Sequence, residues 1–101
     1  MRRLVILDVA KQELKSIKRY TLNKWGKQQS VKYVKEIRQT IILLFKNPLL
    51  GIQKPDINNI AFGFPSGSHV IYYYFNDDKV IIVGVLHKSM LPKQHLQGRI
   101  L

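Results

Sequence analysis

Residues 64–96 read FPSGSHVIYYYFNDDKVIIVGVLHKSMLPKQHL, and this stretch organises the chain. Two runs rich in β-branched and aromatic residues, His69–Phe75 and Lys79–His87, flank Asn76-Asp77-Asp78. Those three residues favour a tight turn, so the spacing predicts an antiparallel hairpin. Both runs carry apolar side chains at odd and even positions. A strand alternates its side chains between faces, so the hairpin must be covered on both sides. Helices under one face and a partner over part of the other would supply that cover.

Working outward, the N-terminal half supplies the helices. Ala10, Leu14, Ile17 and Thr21 recur at helical spacing, with Lys11, Lys15, Lys18 and Arg19 on the opposite side. Trp25-Gly26 closes this helix over about Val9–Lys24: glycine accepts the left-handed exit, and the tryptophan is expected to plug the corner. A second helix runs from Gln28 to Phe45 with Val34, Ile37, Ile41 and Leu44 as its buried stripe, ended by Asn47-Pro48. So short a link makes the two helices an antiparallel hairpin. Ahead of them Arg3–Leu7 reads as a strand, with Asp8 expected to cap the first helix. Leu50 to Pro65 reads as a loop with a weak strand near Ile60–Phe64, and Pro92–Leu101 as a short helical tail. The expected class is α+β: an N-terminal strand and a two-helix antiparallel hairpin packed on a small antiparallel β-sheet, all in one domain, 1–101.

Seventeen Lys/Arg against six Asp/Glu give a formal charge of +11 in 101 residues, with +9 of it in residues 1–50. A field of this sign attracts nucleic acid or an acidic protein. The chain has no cysteine, which excludes disulfides and thiolate chemistry. The apolar run Leu4–Leu7 is too short for a secretory signal, and the longest apolar stretch, Val80–Leu86, is too short for a membrane span. A cytoplasmic protein without membrane contact is the expectation. The acids are scattered, so no metal site and no cofactor are expected, and no glycine-rich phosphate loop occurs.

The order of these pieces closely resembles the ParE branch of the RelE/ParE toxin superfamily, the toxins of type II toxin–antitoxin systems. The resemblance is carried by the opening strand, Trp25-Gly26 between the helices, and Asn47-Pro48-Leu49-Leu50-Gly51. It is densest over Phe64-Pro65-Ser66-Gly67-Ser68-His69-Val70-Ile71-Tyr72-Tyr73 and Val85-Leu86-His87-Lys88-Ser89-Met90. It implies a RelE/ParE-like fold and a growth-inhibiting toxin that poisons DNA gyrase without catalysis. It also implies neutralisation by a cognate acidic, ParD-like antitoxin, through which DNA would be bound indirectly. The alternative is a ribosome-dependent mRNA endonuclease of the RelE type, with His87, Tyr73 and Lys88 as the proton-transfer candidates. That chemistry needs a cationic clamp on the cleaved phosphate. Where relatives carry basic residues before the Phe-Pro turn and two residues before Leu-His, this chain has Phe62-Gly63 and Gly84. The usual acid after the methionine is replaced by Leu91. Candidates for contact with target or antitoxin are Lys11, Lys15, Lys18, Arg19, Tyr72, Tyr74, His87, Lys88 and Met90. His87 reads first as a strand-end histidine that fixes the exit turn, ahead of a catalytic role, and His69 as a capping or turn residue.

Overall fold

The computed structural model describes residues 1–100. Strand β1 (Arg3–Ile6) leads into helices α1 (Asp8–Trp25) and α2 (Lys27–Lys46). A 3₁₀ turn (Pro48–Leu50) then precedes strands β2 (Ile52–Gln53), β3 (Phe62–Ser66), β4 (His69–Phe75) and β5 (Lys79–His87), and helix α3 (Pro92–Leu96) ends the chain. The five strands form one sheet in the order β1-β5-β4-β3-β2. The α+β class and the helical hairpin on the sheet are as expected. The pairing of the first strand is added: β1 lies parallel to β5, with Arg3 opposite Lys79 and Ile6 opposite Ile82. Among the described residues no helix is long and apolar enough to cross a membrane.

Gly26 alone joins α1 to α2, at φ +88, a conformation that side-chain-bearing residues rarely adopt. The faces that meet are those the periodicity marked: Ala10, Leu14, Ile17 and Thr21 against Val34, Ile37, Ile41 and Leu44. Near the tip, the Thr21 and buried Ser30 hydroxyls meet at 2.8 Å and reach the Ile17 and Lys18 carbonyls. Trp25 does not plug the corner; it is 46% exposed and stands edge-on to Tyr33 at 5.6 Å. Asp8 does not cap α1 either. Leu7 N–H still donates to Ile82 O at 3.0 Å, so the chain stays in the sheet one residue longer and Asp8 becomes the first helical residue. Its carboxylate there favours the positive end of the helix.

The hairpin β4–β5 has the bounds its sequence predicts. The weak strand is real but displaced to Phe62–Ser66, because Gly67 (φ +59) and Ser68 form a two-residue turn that sets its register against β4. A bulge between Tyr72 and Tyr73 leaves Val83 without a partner, since Tyr72 pairs with Gly84 and Tyr73 with Ile82. The extra residue shifts the alternation along β5. Val80, Ile82 and Val85 therefore face the helices, while Ile81, Val83 and Leu86 face away. Tyr73 and Phe75 join the inner core, and Tyr72 and Tyr74 the outer cluster. Tyr73 Oη donates to Pro48 O at 2.7 Å and accepts from Gly51 N–H at 2.9 Å, tying the 3₁₀ turn to the sheet.

The outer face is covered by the chain itself, where a partner was expected. Leu96 of α3 is 1% exposed and packs with Tyr72, Ile81, Val83 and Leu86, with Ile57 and Ile100 alongside. Gly84 makes this possible. A Cβ there would stand 2.7 Å from Leu96 Cδ2 and 3.0 Å from Arg99 Nη1. The expected helical tail is thus helical only over Pro92–Leu96, and its packing role outweighs its length. Leu101, the last residue of that expected tail, lies outside the described residues.

Beyond β1 the edge of β5 is closed by side chains. Arg99 Nη1 donates to Val83 O at 3.1 Å, and Val85 N–H donates to Glu13 Oε1 at 3.0 Å. The two side chains also pair with each other, Arg99 Nη1 lying 3.1 Å from both Glu13 oxygens, with both partners mostly buried. Together they occupy ladder positions that a longer β1 would have filled, which blunts an edge otherwise open to strand addition. Gly84→Ala is expected to lift α3 and Arg99 off the sheet, at a cost of about 1–3 kcal/mol in urea denaturation. Amide hydrogen exchange over Leu96–Ile100 checks it, and unchanged protection there would refute the account.

Candidate functional site

The antiparallel register of β4 and β5 sets His69 opposite His87 at the open end of the sheet. Their ring centres lie 5.4 Å apart with the planes at 84°. Each ring is held at Nδ1. His87 Nδ1 accepts the Ser89 N–H at 3.1 Å and lies 2.7 Å from Ser89 Oγ, while Met90 N–H donates to His87 O at 2.9 Å. These bonds form the exit turn after β5. His69 Nδ1 lies 2.6 Å from Tyr33 Oη, which also accepts the Ser68 N–H at 2.9 Å. The Tyr33 ring stands edge-on to His69, linking α2 to the pair. Tyr33 also fills the space beside Gly67, where a Cβ would meet its ring at 2.6 Å.

A pocket of about 360 Å³ opens between this pair and α1, with Ser16, Ile17 and Tyr20 on the helix side and Ser89 and Met90 on the exit turn. Its wall is mainly carbon, from Ile17, the Tyr20 ring and Met90. Tyr20 and Met90 are exposed, and Lys24 Nζ lies 3.2 Å from Tyr20 Oη. Burial pushes His69 from 6.5 to about 4, with the neighbouring His87 adding to the effect. His69 is therefore uncharged at neutral pH and acts as a hydrogen-bonding group without charge.

The sequence-predicted residues separate into three groups. Lys11, Lys15, Lys18 and Arg19 are exposed along α1, and among the described residues only Lys11 of these has an ion-pair partner, a 4.0 Å contact to the fully exposed Asp8 carboxylate. His87, Lys88 and Met90 gather at the end of β5, where His69 joins them. Tyr72 and Tyr74 belong to the outer cluster, Tyr72 almost fully buried, where burial and then the Asp56 charge raise its pKa. Tyr73 is not beside His87 and Lys88. It lies in the inner core with its hydroxyl committed to Pro48 and Gly51, and burial raises its pKa against a weaker opposing effect of the Gly51 bond.

The two positions where a cationic clamp was sought carry no charge. Phe62 stacks on Tyr73 at 5.5 Å and leans on Phe75 at 5.3 Å. The guanidinium nearest Gly84 is that of Arg99, which Glu13 neutralises. Among the described residues no group of three or more His, Cys, Asp or Glu side chains could hold a metal ion. Sequence reasoning passed over Tyr33, Ser16, Tyr20, Glu13 and Arg99. Glu13 did leave a trace: it falls beside Leu14 on the apolar stripe of α1, a costly place for a carboxylate without a buried partner.

Comparison with known proteins agrees with this architecture. A family model described as "ParE toxin of type II toxin-antitoxin system, parDE" matches residues 4–92. The chain is 37% identical over 90 residues to Toxin ParE1 of Caulobacter vibrioides, spanning 86% of this chain and 90% of that protein. It is 28% identical over 89 residues to Toxin ParE1 of Mycobacterium tuberculosis, spanning 87% of this chain and 91% of that one. Its fold matches a chain of the solved structure "Chromosomal ParDE TA system from P. aeruginosa" with a TM-score of 0.76 at 15% identity, over 86% of this chain and 96% of that chain.

The depressed His69 pKa has a signed consequence for stability. Between pH 6.5 and about 4 the unfolded chain takes up a proton on this residue that the folded chain refuses. Stability is therefore expected to fall as pH drops through that window. His69→Gln, which keeps an acceptor for Tyr33, should flatten that part of the decline in urea midpoints measured from pH 7 to 4. An identical slope in both proteins would contradict the assignment.

Proposed function

The chain belongs to the ParE toxin family of type II toxin–antitoxin systems, and from that premise we propose that it poisons DNA gyrase in the cytoplasm and is neutralised by a cognate acidic antitoxin. The observation that carries the antitoxin half is the surface of the helical hairpin. Lys15, Lys18 and Arg19 on α1 have no ion-pair partner among the described residues, while Tyr20, Leu22, Trp25 and Val31 expose apolar surface around the hairpin tip. A cationic face bordered by unburied apolar side chains suits an acidic amphipathic segment laid along it. Opposite charge speeds the encounter, and apolar burial slows release. DNA would be reached through the antitoxin. Seven of the nine contact candidates divide into two groups under this reading: the α1 cations receive the antitoxin, and His87, Lys88 and Met90 form a second contact at the end of β5, while Tyr72 and Tyr74 belong to the outer cluster with Leu96.

Gyrase is favoured over the ribosome by the state of the would-be clamp. A ribonuclease of the RelE type needs an uncompensated cation beside the cleaved phosphate. Here Phe62 belongs to an aromatic stack, and Arg99 is paired to Glu13. Tyr73 is out of reach of His87 as a proton-transfer partner. The proposed action is therefore docking without bond cleavage by the toxin itself.

Two measurements test these halves. Purified protein is expected to stall gyrase in a supercoiling assay, leaving broken DNA, and to leave mRNA intact in a translating extract. Codon-positioned mRNA cuts with unaffected supercoiling would reverse the assignment. Replacing Lys11, Lys15 and Lys18 together by Glu is expected to slow antitoxin association about tenfold or more at low salt, with the difference shrinking as salt screens the charges. Stopped-flow association rates read this directly, and an unchanged low-salt rate would remove α1 from the encounter surface.

A further inference from the structure

The pocket between α1 and the histidine pair has a donor pattern that its hydrogen bonds dictate. His87 Nδ1 accepts a backbone N–H from Ser89, so the proton of the neutral ring sits on Nε2. Tyr33 Oη accepts the Ser68 N–H and lies 2.6 Å from His69 Nδ1; no other group among the described residues accepts its O–H, so we assign the phenolic proton to that nitrogen. His69 is thereby also the Nε2–H form. No protein group among the described residues accepts from either Nε2. Two N–H donors on rings 5.4 Å apart thus line one small pocket, with Ser16 and Ser89 beside them and the apolar surface of Ile17, Tyr20 and Met90 completing the wall.

We propose that this pocket is a carboxylate-binding subsite, in which His69 and His87 donate from Nε2 to a glutamate or aspartate side chain of the antitoxin while an adjoining apolar residue of that peptide packs on Ile17, Tyr20 and Met90. The inference rests on the reading that an acidic antitoxin binds this chain, and it names where one of its acids is held. Charge on the rim matches: Lys24 lies against Tyr20, Lys88 follows His87, and the chain as a whole carries +11. A nucleic-acid phosphate fits less well. The mainly apolar wall suits a peptide side chain better than a sugar–phosphate backbone.

The test begins with the unmodified chain. Long-range proton–nitrogen spectra of its histidine rings are expected to show the Nε2–H form for both His69 and His87 at neutral pH. Acetyl-Leu-Glu-Leu-amide should shift both Nε2 signals saturably, and its Gln counterpart should need about tenfold more peptide, since a charged acceptor bonds more strongly than a neutral one. An Nδ1–H form in either ring, or equal response to the two peptides, overturns the proposal. So does inorganic phosphate acting at lower concentration than the Glu peptide, which would mark a site for nucleic acid. As an independent reading, His87→Phe keeps the ring and removes the donor, and is expected to weaken the co-expressed antitoxin about 10- to 100-fold. Tight antitoxin binding indifferent to that change in a folded variant would sink the subsite and leave the antitoxin reading standing. An antitoxin that fails to bind the unaltered chain would sink both.

Discussion

Strand β5 must be hidden from water on both faces, and most of the molecule is arranged to hide it. Seven of its nine residues are buried, Val80 to Leu86 without a break. Burying an aliphatic side chain of this kind is worth about 1.5–3 kcal/mol relative to leaving it exposed. Neither neighbouring strand can shield a face, because strands in a sheet lie edge to edge. The helical hairpin therefore takes the inner face, and the C-terminal segment with Leu96 takes the outer one. The bulge at Val83 belongs to the same constraint. It turns Gly84 toward the tail, where the missing side chain makes room for Leu96 and Arg99.

A chain with so few acids uses them selectively. Glu13 is spent inside, where it satisfies the Val85 N–H and neutralises Arg99 at the point where β1 no longer covers β5. Removing either partner of so enclosed a pair leaves an uncompensated charge, so the two residues stand or fall together. Lys11, Lys15, Lys18 and Arg19 of α1 meet no comparable partner among the described residues and stay in solvent. The result is a division of labour by burial: one compensated pair inside the fold, and an uncompensated field outside it that is available to a partner.

That division also bears on chemistry. A catalytic cation has to be free at the site, and the guanidinium nearest the sheet position in question is already engaged. A catalytic phenol has to reach the substrate, and Tyr73 is enclosed between the sheet and the 3₁₀ turn with both hydroxyl roles taken. What remains accessible at the end of β5 is a pair of histidines whose inner nitrogens are occupied and whose outer nitrogens are not. Such a pair is equipped to hold an oxygen-bearing group in place.

Much of the architecture was legible in the residues. The helical stripes Ala10/Leu14/Ile17/Thr21 and Val34/Ile37/Ile41/Leu44, the single-glycine turn and the β4–β5 hairpin all follow from periodicity and turn chemistry, which act over a few residues. The resemblance carried by the segments around Trp25-Gly26 and Val85-Leu86-His87 extended this to the family. Other features were decided only in three dimensions, because each depends on residues far apart in the chain. Asp8 looked like a cap until the pairing of β1 with β5 carried the sheet through Leu7. Gly84 looked like a lost cation until the tail was seen to fill its space, 3.0 Å from Arg99. Tyr33 and His69 share no local pattern, yet packing α2 across the turn at Gly67 brings them together and selects which nitrogen of His69 faces outward. Short-range preferences wrote the elements into the sequence; the pairing of distant side chains, which no local spacing encodes, made the site.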